Sequence, residues 1–278
     1  MSFNPRPAAE ELLRIRRARA TLDRLPAAIA PRTEAEGAAV QHALAALVAA
    51  LPPTGFKIGA TGRRMQAYLG VDAPIAGFMR AEDLYHRQAE LRFADYVRPG
   101  VECEIAVRLA RDLPVGPCTM DQARAAVGEV FAGIEIVENR YGDLAEVGTP
   151  ALVGDQMYHA AAVVGDQDGG EQGGSEKGGT DPDGHGRVDW RALDIGALRG
   201  RISLDDGTAD EGIGADLLGH PLNGLAWLAG SSVAAAFGGL KAGQVIMLGS
   251  VTPPVWLKGP AKVTVAFPPL PAVTLRLS

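Results

Sequence analysis

The sequence predicts an α+β domain, with helices at the front and a mostly antiparallel or mixed sheet behind them. Three observations carry that expectation. Apolar residues recur at helical spacing through the first fifty positions, and from Gly55 the texture changes to short strands punctuated by Gly and Pro. The chain then closes on runs that alternate apolar and polar residues.

Ala8 to Leu22 has a helical apolar stripe that Pro26 ends. A second helix starts at Thr33, with Glu36 as its capping-box partner, and runs through Ala49 to Pro52 and Pro53. These helices form a segment, residues 1–54, packed on a main domain over residues 55–278. Arg98-Pro-Gly100 makes a turn just before the strand Val101-Glu-Cys-Glu-Ile-Ala-Val107. A third helix begins at Thr119, capped with Gln122, and ends near Ala132-Gly133. It acts as a short crossover into the strand Gly133-Ile-Glu-Ile-Val137. Gly165 to Arg187 mixes Gly-Gly pairs with Asp, Glu, Gln and Ser; so little apolar surface cannot repay ordering entropy, which predicts an expanded, mobile surface loop. The pattern resumes with a strand over Leu198–Leu204 and a helix from Pro221 to Phe237. Strands over Val245–Leu248, Lys262–Phe267 and Ala272–Leu277 complete the chain.

At 278 residues, with 47% hydrophobic and 22% charged, the chain can bury a substantial core. A net charge of −6 argues against a surface that tracks nucleic-acid phosphates, so the Arg-rich run Arg14–Arg19 reads as a charged helix face. The first residues lack the apolar core of a signal peptide, and the longest apolar run, Ala43 to Leu51, is too short to cross a bilayer. The two cysteines, Cys103 and Cys118, form neither a metal-binding pair nor a disulfide framework. A cytoplasmic protein with no membrane contact is expected.

The chemistry is concentrated in three glutamates. Glu102 and Glu104 lie two apart on one strand and so share a face, opposite Val101, Cys103 and Ile105. Glu135 sits among apolar residues on another strand. A lone Glu-x-Glu also fits the solvated side of an edge strand. Three carboxylates on apolar strands, with no Arg or Lys beside them in sequence, call for a compensating cation. All-carboxylate donors suit Mg²⁺ or Mn²⁺ better than Zn²⁺.

Further stretches match a known family in order. They are Gly55-Phe-Lys-Ile-Gly-Ala-Thr61, Met65-Gln66 with Leu69-Gly-Val71, Val101–Ala106 with Arg111-Asp-Leu113, and Gly133–Val137 with Arg140. Leu218-Gly-His-Pro-Leu222, Trp227-Leu-Ala229, Leu240–Val245 and Gly249-Ser250 follow. Together they resemble the fumarylacetoacetate hydrolase superfamily, and within it the branch of 2-oxopent-4-enoate hydratases and 4-oxalocrotonate decarboxylases. The resemblance implies a twisted mixed sheet and Mg²⁺ or Mn²⁺ held by Glu102, Glu104 and Glu135. It implies a homo-oligomer, with association to a neighbouring pathway enzyme. The implied substrate is a small 2-oxo or 2-hydroxy-dienoic acid from aromatic-ring catabolism, chelating the metal through its C1 carboxylate and C2 oxygen. Water addition is the expected reaction, decarboxylation the alternative, and C–C hydrolysis of acylpyruvates a second alternative. Hydrolysis needs a His-Glu pair that the first hundred residues lack.

By the same resemblance Lys57 binds substrate and stabilises the dienolate as an ammonium, and Ser250 helps to hold a substrate carboxylate. Two departures stand out. Ile75 follows Pro74 where hydratases place an Asp, an apolar choice closer to the decarboxylases. Gly154-Asp-Gln-Met-Tyr158 replaces an Ala-Asp-Asn-Ala-Ser-like run. Asp155 is retained there as a substrate-binding candidate, and Tyr158 becomes a candidate proton donor. His159 is a candidate to join Tyr158, while the apolar run that follows it favours a core histidine or one that supports the site.

Overall fold

The computed structural model describes residues 3–142, 147–165 and 188–278, without the side chains of Arg64 and Tyr68. The Gly-rich segment expected over 165–187 lies, apart from Gly165, outside the described residues.

Two helices lead the chain, α1 (Arg6–Ala18) and α2 (Glu34–Leu47), and a short α3 (Arg63–Leu69) comes later. Thr33 caps α2 as expected, its hydroxyl accepting from the Glu36 N–H. The box stays half closed, because the Glu36 carboxylate accepts instead from the Arg32 N–H at 2.7 Å and from its guanidinium.

Strands β1 (Gly55–Gly59), β2 (Ile75–Met79), β3 (Leu84–His86), β5 (Pro99–Leu109), β6 (Val127–Glu138), β7 (His159–Val164) and β10 (Val245–Ser250) form a mixed sheet. Its order is β2-β1-β10-β5-β6-β7-β3, with the short β11 (Val255–Trp256) paired to β5. A second sheet has the order β4-β13-β12-β8-β9, from β4 (Gln88–Leu91), β8 (Arg199–Leu204), β9 (Ala209–Ile213), β12 (Ala261–Ala266) and β13 (Val273–Leu277). β1 with β10, β3 with β7 and β4 with β13 run parallel, and the other named pairs are antiparallel. This is the mixed-sheet α+β architecture that the sequence predicts.

Three expected helix boundaries move. The first helix stops at Ala18, where Arg19 turns left-handed. The helix from Thr119 forms with its full capping box but ends at Ala126, as α4 (Met120–Ala126). Val127, Val130 and Phe131 are β-formers, and pairing with β5 takes them into β6. β5 and β6 are therefore antiparallel neighbours joined through α4, not strands linked by a crossover. The helix expected over Pro221–Phe237 is two, α6 (Pro221–Ala229) and α7 (Ser232–Ala236). Gly230 closes the first, and the Ser231 hydroxyl caps the second by accepting from the Ala234 N–H.

β5 and β6 are buried on both faces for most of their length. The second sheet packs on one face of the pair through β8, β12 and β13. Helices α5 (Thr149–Gly154) and α7 both pack on α2, and α2 and α5 reach β2. Alternation puts Val101, Cys103 and Ile105 on the opposite face of β5 from Glu102 and Glu104, and Cys103 is fully buried there.

The segment Gln156–Tyr158 follows α5 and crosses close over β2. A Cβ at Gly77 would lie 2.5 Å from the Gln156 carbonyl oxygen, so only a glycine fits beneath it. Gly77→Ala should therefore cost about 1–3 kcal/mol of stability, read as a lower denaturation midpoint at unchanged m-value. A wild-type midpoint would show that the crossing segment shifts freely.

Candidate metal centre and substrate cavity

Register assembles the site. On one face of the large sheet Glu102 pairs with Glu135, Glu104 with Gly133, and Lys57 with Met247, which in turn pairs with Ala106. Cross-strand partners share a face. Glu102, Glu104 and Glu135 thus converge, each offering an oxygen within 4.8 Å of the others. That spacing approaches the span of oxygen ligands around a cation with bonds of about 2.1–2.5 Å.

Each of the two most deeply buried carboxylates has one oxygen pinned and one left over. Glu104 Oε2 accepts from the Gly249 N–H at 3.0 Å, which a register shift between Met247 and Ser250 turns inward. Glu104 Oε1 has no partner. Glu135 Oε1 accepts from Lys57 Nζ at 3.1 Å and from His159 Nδ1 at 2.9 Å, while Glu135 Oε2 has no partner. Buried oxygens are rarely left unpaired. Two orphaned oxygens beside a third carboxylate fit a hard divalent cation such as Mg²⁺ or Mn²⁺.

Electrostatics agree. Burial, then the charge of Glu135, pushes the Glu102 carboxyl up to about 8, with Lys57 opposing. Burial and the two neighbouring carboxylates hold Glu104 well above the usual range. Burial also acts to raise Glu135, but Lys57 and the His159 ring outweigh it and bring that carboxyl down to about 2. Burial favours a neutral Lys57, yet the three carboxylates overcome it and keep the ammonium charged. One ammonium satisfies one carboxylate, and the other two either hold protons or take up a further cation.

A cavity of about 660 Å³ opens beside the cluster. Lys57, Glu102, Tyr158 and Ser250 line it, with Arg63 also on its wall and an apolar side from Met65, Val137, Met157 and Trp256. Such a volume suits a small organic ligand.

The expected site residues separate into two groups. Lys57, Glu102, Glu104, Glu135 and Tyr158 come together at the cluster or on the cavity wall. Ser250 also reaches the wall, but its hydroxyl donates to the Thr252 carbonyl at 2.7 Å and accepts from the Cys103 N–H. It would have to release Thr252 to donate to a ligand. Asp155 does not line the cavity. Its Oδ1 accepts from Arg16 and its Oδ2 from the Arg140 guanidinium and the Tyr141 hydroxyl, both at 2.9 Å. The carboxylate expected to bind substrate is thus engaged by Arg16, Arg140 and Tyr141. Ile75 is likewise buried in the core and off the cavity wall.

His159 is the contact that sequence reasoning left open. Ala162 pairs with Glu135, so strict alternation would put Ala160, not His159, on the carboxylate face. A register shift opposite Ile136 and Val137 exchanges them, and His159 pairs with Val137 on that face. Only a predicted bulge could have signalled this.

No family model matches the sequence. The chain is 31% identical over 204 residues to a 2-keto-4-pentenoate hydratase of Burkholderia vietnamiensis, covering 73% of this chain and 70% of the relative. It is 30% identical over 205 residues to a 4-oxalocrotonate decarboxylase of a Pseudomonas species, covering 73% and 70%. Among solved structures, the 4-oxalocrotonate decarboxylase from Pseudomonas putida G7, complexed with magnesium and adipate, superposes with a TM-score of 0.82. That likeness covers 99% of this chain and 97% of the other at 23% identity, and shows a shared fold.

The raised carboxyls set a pH dependence. Between about pH 4.5 and 8 the metal-free folded state keeps protons on Glu102 and Glu104 that the unfolded chain releases, so these groups lose stabilising effect as pH rises. His220, lowered by burial, acts in the opposite sense, and comparison with and without metal cancels it. Because a cation binds the deprotonated ligands, Mg²⁺ should raise Tm more at pH 8 than at pH 5.5. Scanning calorimetry in EDTA and in Mg²⁺ checks this; a larger shift at pH 5.5 would contradict the assignment.

Proposed function

Because the chain belongs to the hydratase and decarboxylase branch of the fumarylacetoacetate hydrolase superfamily, we propose that it is a divalent-metal-dependent lyase. In this reading it adds water to a 2-hydroxy-2,4-dienoate in the catabolism of aromatic compounds. The observation that carries the proposal is the pair of orphaned oxygens on Glu104 and Glu135, beside a cavity that Lys57 and Tyr158 line.

Glu102, Glu104 and Glu135 hold the ion. When bound, Mg²⁺ or Mn²⁺ supplies Lewis acidity at the C1 carboxylate and C2 oxygen of the substrate. Lys57 enters the cavity as a buried ammonium, suited to bind an anionic head and to stabilise charge that develops on it. For 2-hydroxypenta-2,4-dienoate, a proton delivered to C5 as the C2 hydroxyl gives up its own converts the dienol to the 2-oxo-3-enoate. Water then gives its hydroxyl to C4 and a proton goes to C3. The Tyr158 hydroxyl is assigned as a proton donor in this sequence. Ser250, on the cavity wall, helps to hold the substrate carboxylate, and Asp155 anchors the segment that carries Tyr158. Residues 1–54 serve as a helical buttress to a catalytic unit over 55–278, since Arg16 of α1 reaches Asp155.

A decarboxylase acting on a 2-oxo-3-enedioate is the second reading. Arg63 on the cavity wall pairs with no carboxylate among the described residues, and is therefore available to a second substrate carboxylate. Acylpyruvate hydrolysis ranks third. The His-Glu pair it needs exists as His159 and Glu135, but His159 is 4% exposed and off the cavity wall. The proposal also includes a homo-oligomer in the cytoplasm, associated with a pathway enzyme. Two free cysteines suit a reducing compartment, and no described helix is long and apolar enough to cross a membrane.

Glu104→Gln should abolish turnover and weaken Mg²⁺ binding sharply while leaving the fold intact, since it removes an anionic ligand and relieves carboxylate repulsion. Normal turnover in this variant would place the site elsewhere. Purified protein with Mg²⁺, assayed in parallel on 2-hydroxypenta-2,4-dienoate and 2-oxohex-3-enedioate, separates the first two readings. Tyr158→Phe should slow water addition by about 10²–10⁴-fold with little change in Mg²⁺ affinity, because it removes one donor and keeps the ring. Rapid CO₂ release from the enedioate without hydration of the dienoate would reverse the ranking.

A further inference from the structure

We propose that His159 is a positioning residue of the metal centre, which restricts Glu135 to ligation through a single oxygen, Oε2. The inference rests on the metal site proposed above. A carboxylate oxygen has two lone pairs in its plane, and those of Glu135 Oε1 are both engaged, by Lys57 Nζ at 3.1 Å and His159 Nδ1 at 2.9 Å. An ionised carboxylate only accepts, so Nδ1 carries the hydrogen. The other oxygen, Oε2, is buried without a partner.

The last torsion of a glutamate is broad and roughly two-fold, so an unrestrained carboxylate swings between one-oxygen and two-oxygen contact with a cation. Lys57 alone cannot hold the plane, because its ammonium also has to serve the cavity it lines. His159 faces no such competition: its ring is buried and off the cavity wall. Nor is it placed as a ligand or a base. Nδ1 is spent on Glu135, and Nε2 is buried with no hydrogen-bond partner. The structure keeps an unpaired ring nitrogen in the core, at a cost, and the one polar contact seen in return is the hydrogen bond to Glu135.

The test is calorimetric titration of metal-free protein with MgCl₂ alone, for wild type, His159→Ala and His159→Asn. Asn presents an N–H near the position of Nδ1. Losing a group that orients a metal ligand costs about 10–100-fold in affinity, so His159→Ala should bind Mg²⁺ weaker by that factor. His159→Asn should stay within about threefold of wild type by the same measure. Excess Mg²⁺ should restore most of kcat in the alanine variant, which loss of fold or of a catalytic group would not allow. Wild-type affinity in His159→Ala overturns the proposal, as does equal weakening in both variants. If the alanine variant does not fold, the asparagine variant decides, and a loss of tenfold or more there overturns it. Absence of Mg²⁺ binding by wild type would instead sink the functional reading itself.

Discussion

Three carboxylates and one ammonium share a buried sheet face, and that imbalance governs the rest of the molecule. Lys57 neutralises Glu135, which leaves Glu102 and Glu104 either protonated or dependent on an ion from outside. Arg16 and Arg140 are committed to Asp155, and Arg140 also to Glu138. The protein thus keeps two ionic centres apart: one is balanced within itself and the other is left short of positive charge. Isolated buried charge is too costly to persist without compensation, so the deficient centre is where an ion contributes to stability as well as to chemistry.

The balanced centre has its own task. Gln156, Met157 and Tyr158 all have positive φ, a conformation that costs non-glycine residues of the order of 1–3 kcal/mol each. Such strain persists only where the surroundings hold it. Asp155, clamped by two guanidiniums and a tyrosine, fixes the start of the turn. Gln156 bonds the Phe78 carbonyl at 2.5 Å and also accepts from Arg16. Gln41 of α2 ties the Phe78 N–H to the Ala76 and Val153 carbonyls. The result is that Met157 and Tyr158 reach the cavity while His159 reaches Glu135 from behind. An ion network remote from the reacting atoms therefore sets the shape of the cavity wall.

Hydration and decarboxylation need the same head-group chemistry, which explains why relatives of both kinds match the chain at similar identity. The difference between them lies at the far end of the substrate. Ile75, the apolar departure in the sequence, is buried in the core and off the cavity wall. Tyr158 and Arg63 line the cavity, whereas Ile75 does not.

Much of this was legible in the chain. Alternation alone placed Glu102 and Glu104 on one face, and apolar neighbours marked Glu135 as buried, because strand geometry is local and its period is two. The α+β class and the cap at Thr119 followed from equally local rules. The partnership of Glu135 with Glu102 is a matter of register between strands some thirty residues apart, and only pairing settles it. The lower-order details depended on breaks in that pairing. One register shift turns the Gly249 N–H onto Glu104, and another brings His159 to Glu135 in place of Ala160. Asp155 carried no sign in the sequence that the fold would deliver Arg16 from the first helix, 139 positions away, to its carboxylate. Sequence determined which side chains could carry the chemistry. Tertiary structure decided which of them meet, because a bulge reverses the face of a side chain and a distant cation claims a carboxylate, and neither leaves a local trace.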